Sequence, residues 1–127
     1  MPSRDKLILA LGEPLVEFMP ESVGTSMCAA SDWRKYAGGG PATFAAAAVR
    51  LGHAAGLIAR VGAQDPFSDF LLEALRDEGV DTTLVRRVEG RQIGLCFHEC
   101  IDGKTRLIFQ RRDSAATTMS AGDIDGA

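Results

Sequence analysis

From Tyr36 to Thr43 the chain reads Tyr-Ala-Gly-Gly-Gly-Pro-Ala-Thr and runs directly into an alanine-rich segment. Three consecutive glycines permit a tight bend and let a ligand approach the backbone closely. The helix that follows opens with N–H groups that have no intrahelical partner. On these residues alone two readings are open, a ligand-binding bend or an ordinary strand-to-helix loop. The usual nucleotide loops fail on the letters. A Walker A loop ends in Gly-Lys-Ser/Thr, and in a dinucleotide G-x-G-x-x-G counted from Gly38 the third glycine is Thr43. If the glycines served some other nucleotide, this chain alone would bind it.

The remaining reactive side chains carry less. Cys28, Cys96 and Cys100 contain no C-x-x-C pair. Cys96 and Cys100 fall on one predicted strand, about 13 Å apart at ~3.3 Å per residue, beyond disulfide reach. Three free, structural thiols in a reducing cytoplasm are expected. His53 follows a helix stop and should be exposed. His98 sits on a predicted strand with no second histidine or acid at ligand spacing, so no metal site is expected.

The elements that must position the bend follow from hydrophobic pattern. Leu7–Leu11 is a short continuous apolar run, which predicts a strand buried on both faces of a parallel sheet. Gly12-Glu13-Pro14 breaks it and Leu15–Met19 resumes it, with Glu17 inserted. Met27–Tyr36 reads as an exposed strand leading into a turn. A helix is predicted from Pro41 to about Leu51, with Pro in its first turn and Gly52 closing it. Ala54–Val61 reads as the next buried strand. Asp65 and Pro66 open a second helix, in which Phe67, Phe70, Leu71, Ala74 and Leu75 recur at helical spacing before Gly79. Leu84–Val88 is a short strand. Asp102-Gly103, between Arg91–Ile101 and Thr105–Arg111, is a strong hairpin signal. Ser120 reads as the N-cap of a helix starting near Ala121. Alternating strands and helices predict an α/β domain with a partly parallel sheet, and the hairpin predicts a β flap attached to it.

Composition sets the outer limits. With 127 residues, 46% apolar and 24% charged, the chain has the balance of one globular domain with a core. A net charge of −3 with scattered Lys and Arg argues against a nucleic-acid surface. No apolar run approaches the roughly 20 residues that span a bilayer. The N-terminus lacks the uninterrupted apolar region of a signal peptide, so neither a membrane nor an export role is expected.

In their order and spacing these segments resemble the PfkB-type, ribokinase-like carbohydrate kinases. That family has a Gly-Gly signature opening an Ala-rich helix that ends in Arg-Leu-Gly. Here the equivalents are Gly38-Gly39-Gly40-Pro41-Ala42-Thr43 and Val49-Arg50-Leu51-Gly52. A G-x-V-G-x-D-x-F-G-like stretch and a helix ending in Glu-Gly-Val follow. They are similar to Arg60-Val61-Gly62-Ala63-Gln64-Asp65-Pro66-Phe67-Ser68 and Glu78-Gly79-Val80. The resemblance covers nearly the whole chain. Gly12–Phe18 and Arg111–Ala116 look most like the 2-keto-3-deoxygluconate kinases and their fructokinase-like relatives.

The resemblance implies a three-layer α/β/α, Rossmann-like fold with a small β-sheet lid, its strands near 15–36 and 91–111. Residues 1–127 would form the N-terminal, substrate-binding part, ending before the ATP-binding half. The reaction implied is phosphoryl transfer from ATP, with Mg²⁺, to a hydroxyl of a sugar or sugar acid such as 2-keto-3-deoxygluconate. This chain would be inactive alone and hold neither ATP nor metal. A non-catalytic sugar-binding or dimerisation module is the alternative, and a homodimer through the flap is compatible with both. The substrate contacts implied are Glu17, Gly38, Gly39, Gly40, Thr43, Phe97, Phe109 and Arg111. A carboxylate suits a pair of sugar hydroxyls, and a guanidinium is the natural bidentate partner of a sugar-acid carboxylate. On the residues themselves, Glu17 also reads as a solvated strand-end charge and Arg111 as a hairpin surface residue. Phe97 and Phe109 also read as packing between flap and domain. The chain departs from the family at Thr43, Cys96 and Phe109, where an Asn and two Tyr are common. The family's catalytic Gly-Ala-Gly-Asp lies far downstream. Ala121-Gly122-Asp123 lacks its first glycine and receives no catalytic role. An isolated sugar-binding half is also expected to self-associate through an open strand edge and an uncovered apolar face.

Overall fold

The computed structural model describes residues 6–125. The chain runs β1 (Ile8–Leu11), β2 (Leu15–Pro20), β3 (Trp33–Gly38), α1 (Gly40–Arg50), β4 (Ala55–Gly62), α2 (Pro66–Asp77), β5 (Val85–Val88), β6 (Gly94–Ile101) and β7 (Lys104–Gln110). Two short 3-10 turns follow, Ala115–Thr118 and Ala121–Asp123. The strands form two sheets, a parallel one of order β1-β4-β5 and a mixed one of order β3-β2-β6-β7.

The two helices form where the sequence places them, for local reasons. α1 carries Pro41 in its first turn and buries Ala42, Ala45 and Ala48, small side chains that let the helix lie close to the sheet. It ends with Gly52 at φ 91°, where the His53 N–H reaches back to the Ala48 carbonyl. α2 is capped by Asp65, which accepts from the Phe67 N–H at 3.1 Å, and buries Leu71, Leu72 and Leu75. Between the helices and the sheet, Leu57, Ala59 and Val61 of β4 are fully buried. Each buried Leu or Val there contributes about 1.5–3 kcal/mol over leaving it in water.

β1 corrects an expectation. Its apolar run predicts burial on both faces, yet Leu9 is 37% and Leu11 51% exposed, while Ala10 is buried. Among the described residues β1 pairs with β4 alone; independently of that, one of its faces meets α1 and the other, which carries Leu9 and Leu11, has no covering layer. The strand expected over Met27–Tyr36 also starts later than its sequence suggests: residues 27–29 form a turn, 30–32 are irregular, and β3 begins at Trp33.

The mixed sheet is the predicted lid. β6 and β7 form a hairpin turned by Asp102 (φ 51°) and Gly103 (φ 74°), the left-handed pair that a tight two-residue turn requires. β6 pairs in parallel with β2, a contact that no local pattern announces.

Ser120 does cap as expected, forming a capping box with Asp123, but it opens a three-residue 3-10 turn. Residues 126–127 lie outside the described part. Asp123 is buried and ties this turn to β4, since Arg60 Nε donates to its Oδ1 at 2.8 Å and Arg86 lies 3.6 Å away. The Arg60 hydrogen bond, helped by the Ser120 N–H, holds the Asp123 carboxyl below its ordinary value. A lowered folded-state value gives stability that is present above the unfolded carboxyl's pKa and is lost as pH falls through the folded one. Thermal melts should therefore show a decline that begins near about pH 4 and steepens below it. Asp123→Asn should flatten that decline and lower the melting temperature at neutral pH. An acid slope unchanged in the variant would assign the effect to other carboxylates.

Candidate functional site

Register across the lid decides which side chains meet. Glu17 on β2 lies opposite Tyr36 on β3 and Cys96 on β6, and Cys96 lies opposite Phe109 on β7. Cross-strand partners share a face, so Tyr36, Glu17, Cys96 and Phe109 form one row across all four strands. The adjacent row, Lys35, Phe18, Phe97 and Ile108, points the other way.

That second row corrects the expectation for Phe97. Its ring stacks on Phe18 with centroids 5.1 Å apart and meets Trp33 edge-on at 5.8 Å. Phe18 in turn meets Phe67 of α2 at 5.4 Å. Phe97 fastens the lid to the helix layer and takes no part in the Glu17 face. A single step along β6 separates it from the Glu17 row.

The glycine bend closes one end of the row. A Cβ at Gly38 would lie 2.4 Å from Glu17 Cδ, so the carboxylate occupies the space that any other residue would fill. Gly39 has φ 85°, and a Cβ there would lie 2.7 Å from the Glu13 carbonyl oxygen and 2.8 Å from the Leu15 nitrogen. Its N–H donates to Glu17 Oε1 at 3.4 Å, a long bond. Gly40 has nothing within 4 Å of its Cβ direction and simply begins α1. Thr43 is exposed one turn into α1. It lines a cleft of about 440 Å³ between α1, α2 and β3, together with Lys35, Phe70 and Arg50, a cleft whose lining does not include Glu17.

Arg111 closes the other end. It follows β7, lies 4.7 Å over the Phe109 ring and donates from Nη1 to Glu13 Oε1 at 3.3 Å. Glu13 is itself held, because the buried Ser114 hydroxyl donates to its Oε2 at 3.1 Å. The guanidinium borders a polar cleft of about 400 Å³ that also holds Arg91, Gln92, Gln110 and Arg112. Half exposed, oriented by an aromatic face and one carboxylate, it keeps donors for a second anion.

Cys96 lies between these ends and is buried. Burial pushes its thiol up, the Glu17 charge adds to that, and Arg111 opposes it. A thiol held neutral packs and does not attack. The face thus offers acidic acceptors, a guanidinium donor and an aromatic ring, which suits recognition of a polyhydroxylated ligand. Among the described residues, no group of three or more His, Cys, Asp and Glu is arranged to hold a metal ion.

The structure brings Glu17, Gly38, Gly39, Phe109 and Arg111 together on one side. From sequence, Glu13, Ser114 and Tyr36 fall within the quoted motifs but receive no contact role, and His98 is weighed only as a metal ligand. Alternation along β6 puts Cys96 and His98 on one face, but only the parallel pairing of β6 with β2 brings them to Glu17.

A family model described as "pfkB family carbohydrate kinase" matches residues 5–124. The chain belongs to that family. Fructokinase-1 of Oryza sativa subsp. japonica is 33% identical over 126 residues, covering 98% of this chain and 39% of the relative. The 2-dehydro-3-deoxygluconokinase of Thermoproteus tenax is 35% identical over 123 residues, covering 94% of this chain and 37% of the relative. Among solved structures, an uncharacterized sugar kinase from Pyrococcus horikoshii superimposes with a TM-score of 0.83 at 30% identity, over 93% of this chain and 38% of that one. The same kinase is known in complex with ATP. This pfkB chain therefore spans about two fifths of the length of these relatives. Its mixed α/β architecture is the ribokinase-like one expected from the order of the motifs. No helix among the described residues is long and apolar enough to cross a membrane.

Proposed function

We propose that this chain forms the sugar-binding face of an ATP-dependent kinase acting on a sugar or a sugar acid such as 2-keto-3-deoxygluconate. One observation carries the reading: Glu17, the Gly38–Gly39 bend, Phe109 and Arg111 converge on a single face of the lid. In this reading Glu17 accepts hydrogen bonds from sugar hydroxyls, and the bare backbone at Gly38 and Gly39 lets the ring come close. Phe109 covers its apolar C–H face. Arg111 engages a carboxylate where the substrate has one. ATP supplies the phosphoryl group and Mg²⁺ screens its charge. The groups that hold both, and the base that takes the hydroxyl proton, belong to the part of such a kinase that this chain does not span. The chain alone binds without phosphorylating.

The test is a titration of the chain with 2-keto-3-deoxygluconate, fructose and ribose, followed by NMR so that weak binding is measurable. Arg111→Gln should weaken the sugar acid about tenfold or more, the size of a lost charge-assisted bond, and leave neutral sugars nearly unchanged. Equal losses for acid and neutral sugars would remove Arg111 as the carboxylate contact. The alternative, a module that pairs through its flap, draws on β7, whose residues Lys104–Gln110 are all exposed and whose outer edge is unpaired among the described residues. A chain that binds no sugar in this titration yet sediments as a dimer would favour that alternative.

A further inference from the structure

His98 Nε2 is a buried side-chain nitrogen with no hydrogen-bond partner among the described residues. Such orphaned atoms are uncommon in folded proteins, because a polar group removed from water without a partner costs free energy. The nearest acid is Glu17, whose Oε2 lies 3.5 Å from Nε2, at the outer limit of a hydrogen bond and too poorly aligned to count as one. Nε2 is closed to solvent, so a ligand arriving at the sheet face cannot reach it directly. Glu17 can, because its Oε2 already lies 3.5 Å from Nε2, while its side chain, 30% exposed, stays open to a ligand.

We propose that His98 is the positioning residue for Glu17, donating from Nε2–H to Oε2 while the Gly39 N–H donates to Oε1. The two donors grip the carboxylate from opposite sides, β6 on one and the glycine bend on the other. A carboxylate oxygen has two lone-pair sites, so each keeps one for a sugar hydroxyl after this clamp forms. The clamp fixes the plane of the carboxylate before the ligand arrives, which removes an ordering cost from binding. His98 itself never touches the sugar. It acts through Glu17, and the inference rests on Glu17 being the sugar contact.

The chain holds only two histidines, His53 and His98, and His53 is exposed, so the imidazole ¹⁵N resonances of His98 are identifiable in ¹H–¹⁵N spectra. The proposal expects a proton on His98 Nε2 in the unmodified chain, and a shift of that resonance in Glu17→Ala. It also expects His98→Phe to weaken fructose or 2-keto-3-deoxygluconate binding about tenfold, the scale of one hydrogen bond in a buried setting. His98→Gln, whose amide restores a donor, should bind within about twofold of the unmodified chain. A purely structural histidine would show no such rescue. A deprotonated Nε2, or undiminished sugar binding by a folded His98→Phe chain, overturns the clamp. If Glu17→Ala has abolished binding in the same series, the sugar reading stands without it. Should Glu17→Ala bind as well as the unmodified chain, the sugar reading falls and the clamp with it.

Discussion

Gly38→Ala should lower sugar affinity by about a hundredfold or more, while Gly40→Ala changes it by less than about twofold. The two glycines are separated by one residue and are identical to any local reading of the sequence. Their surroundings differ completely. A methyl at position 38 would enter the space of the Glu17 carboxylate, 2.4 Å from Cδ and 2.7 Å from Oε1. Real Cβ atoms do not approach carbon or oxygen so closely, so the carboxylate must leave. Leaving breaks its contacts with Gly39 N and His98 and takes away the acceptors offered to the sugar. Two hydrogen bonds to a charged acceptor, at about 1.5–3 kcal/mol each, amount to at least a hundredfold. At position 40 a methyl meets nothing within 4 Å and sits in the first turn of α1, where Ala is a better helix former than Gly. Calorimetric or NMR titration of both variants, with melting temperatures to confirm folding, distinguishes the outcomes. A Gly38→Ala chain that folds and still binds would remove Glu17 from the site.

How much of this was legible depends on whether the deciding contact is local. α1, α2, β4 and the Asp102–Gly103 hairpin follow from residues a few positions apart, such as Asp65 and Pro66 or Leu51 and Gly52. Their sequence bounds hold to within a few residues. β1 is different: its apolar letters are the same whether one face of the sheet is covered or both, and only the layers packed on those faces decide. Phe97 and Phe109 are equally aromatic and equally placed on lid strands, yet the register Cys96 to Phe109 sends them to opposite faces. A shift of β7 by one residue would put Phe109 on the same face as Phe97. The Glu13–Arg111 bond joins residues 98 positions apart, and the His98–Glu17 approach depends on the same parallel pairing of β2 and β6. Family resemblance supplied Glu17 and Arg111 as sugar contacts. It offered nothing on what holds them in place.

The largest loss of stability is expected at Asp65, a buried carboxylate outside the Glu17 row. Its Oδ1 caps α2, and its Oδ2 accepts from the Ser68 hydroxyl at 2.7 Å and from the Ile93 N–H at 2.8 Å. Ser68 Oγ in turn accepts from the Gly62 N–H at 2.8 Å. One buried carboxylate thus joins the end of β4, the start of α2 and the entry to β6. Asp65→Ala leaves the Ile93 and Phe67 N–H groups without that partner, and Ile93 lies in the core where water cannot replace it. A lost cap at about 1 kcal/mol and a stranded buried donor at about 1–3 kcal/mol, with the broken Ser68 bond, bring the cost to roughly 3–5 kcal/mol. For a chain of this length that lowers the melting temperature by about 10–20 °C. Asp65→Asn should fall between, because one amide oxygen still caps the helix while its nitrogen cannot accept from Ile93. The bond to Ile93 also fixes where β6 starts, one residue before Gly94 pairs with Leu15 in the register that brings Cys96 beside Glu17. Hydrogen exchange at the β6 amides should therefore rise in Asp65→Ala well below its melting temperature. A variant that melts within a few degrees of the unmodified chain, with β6 still protected, would show that the lid is held by its aromatic row alone.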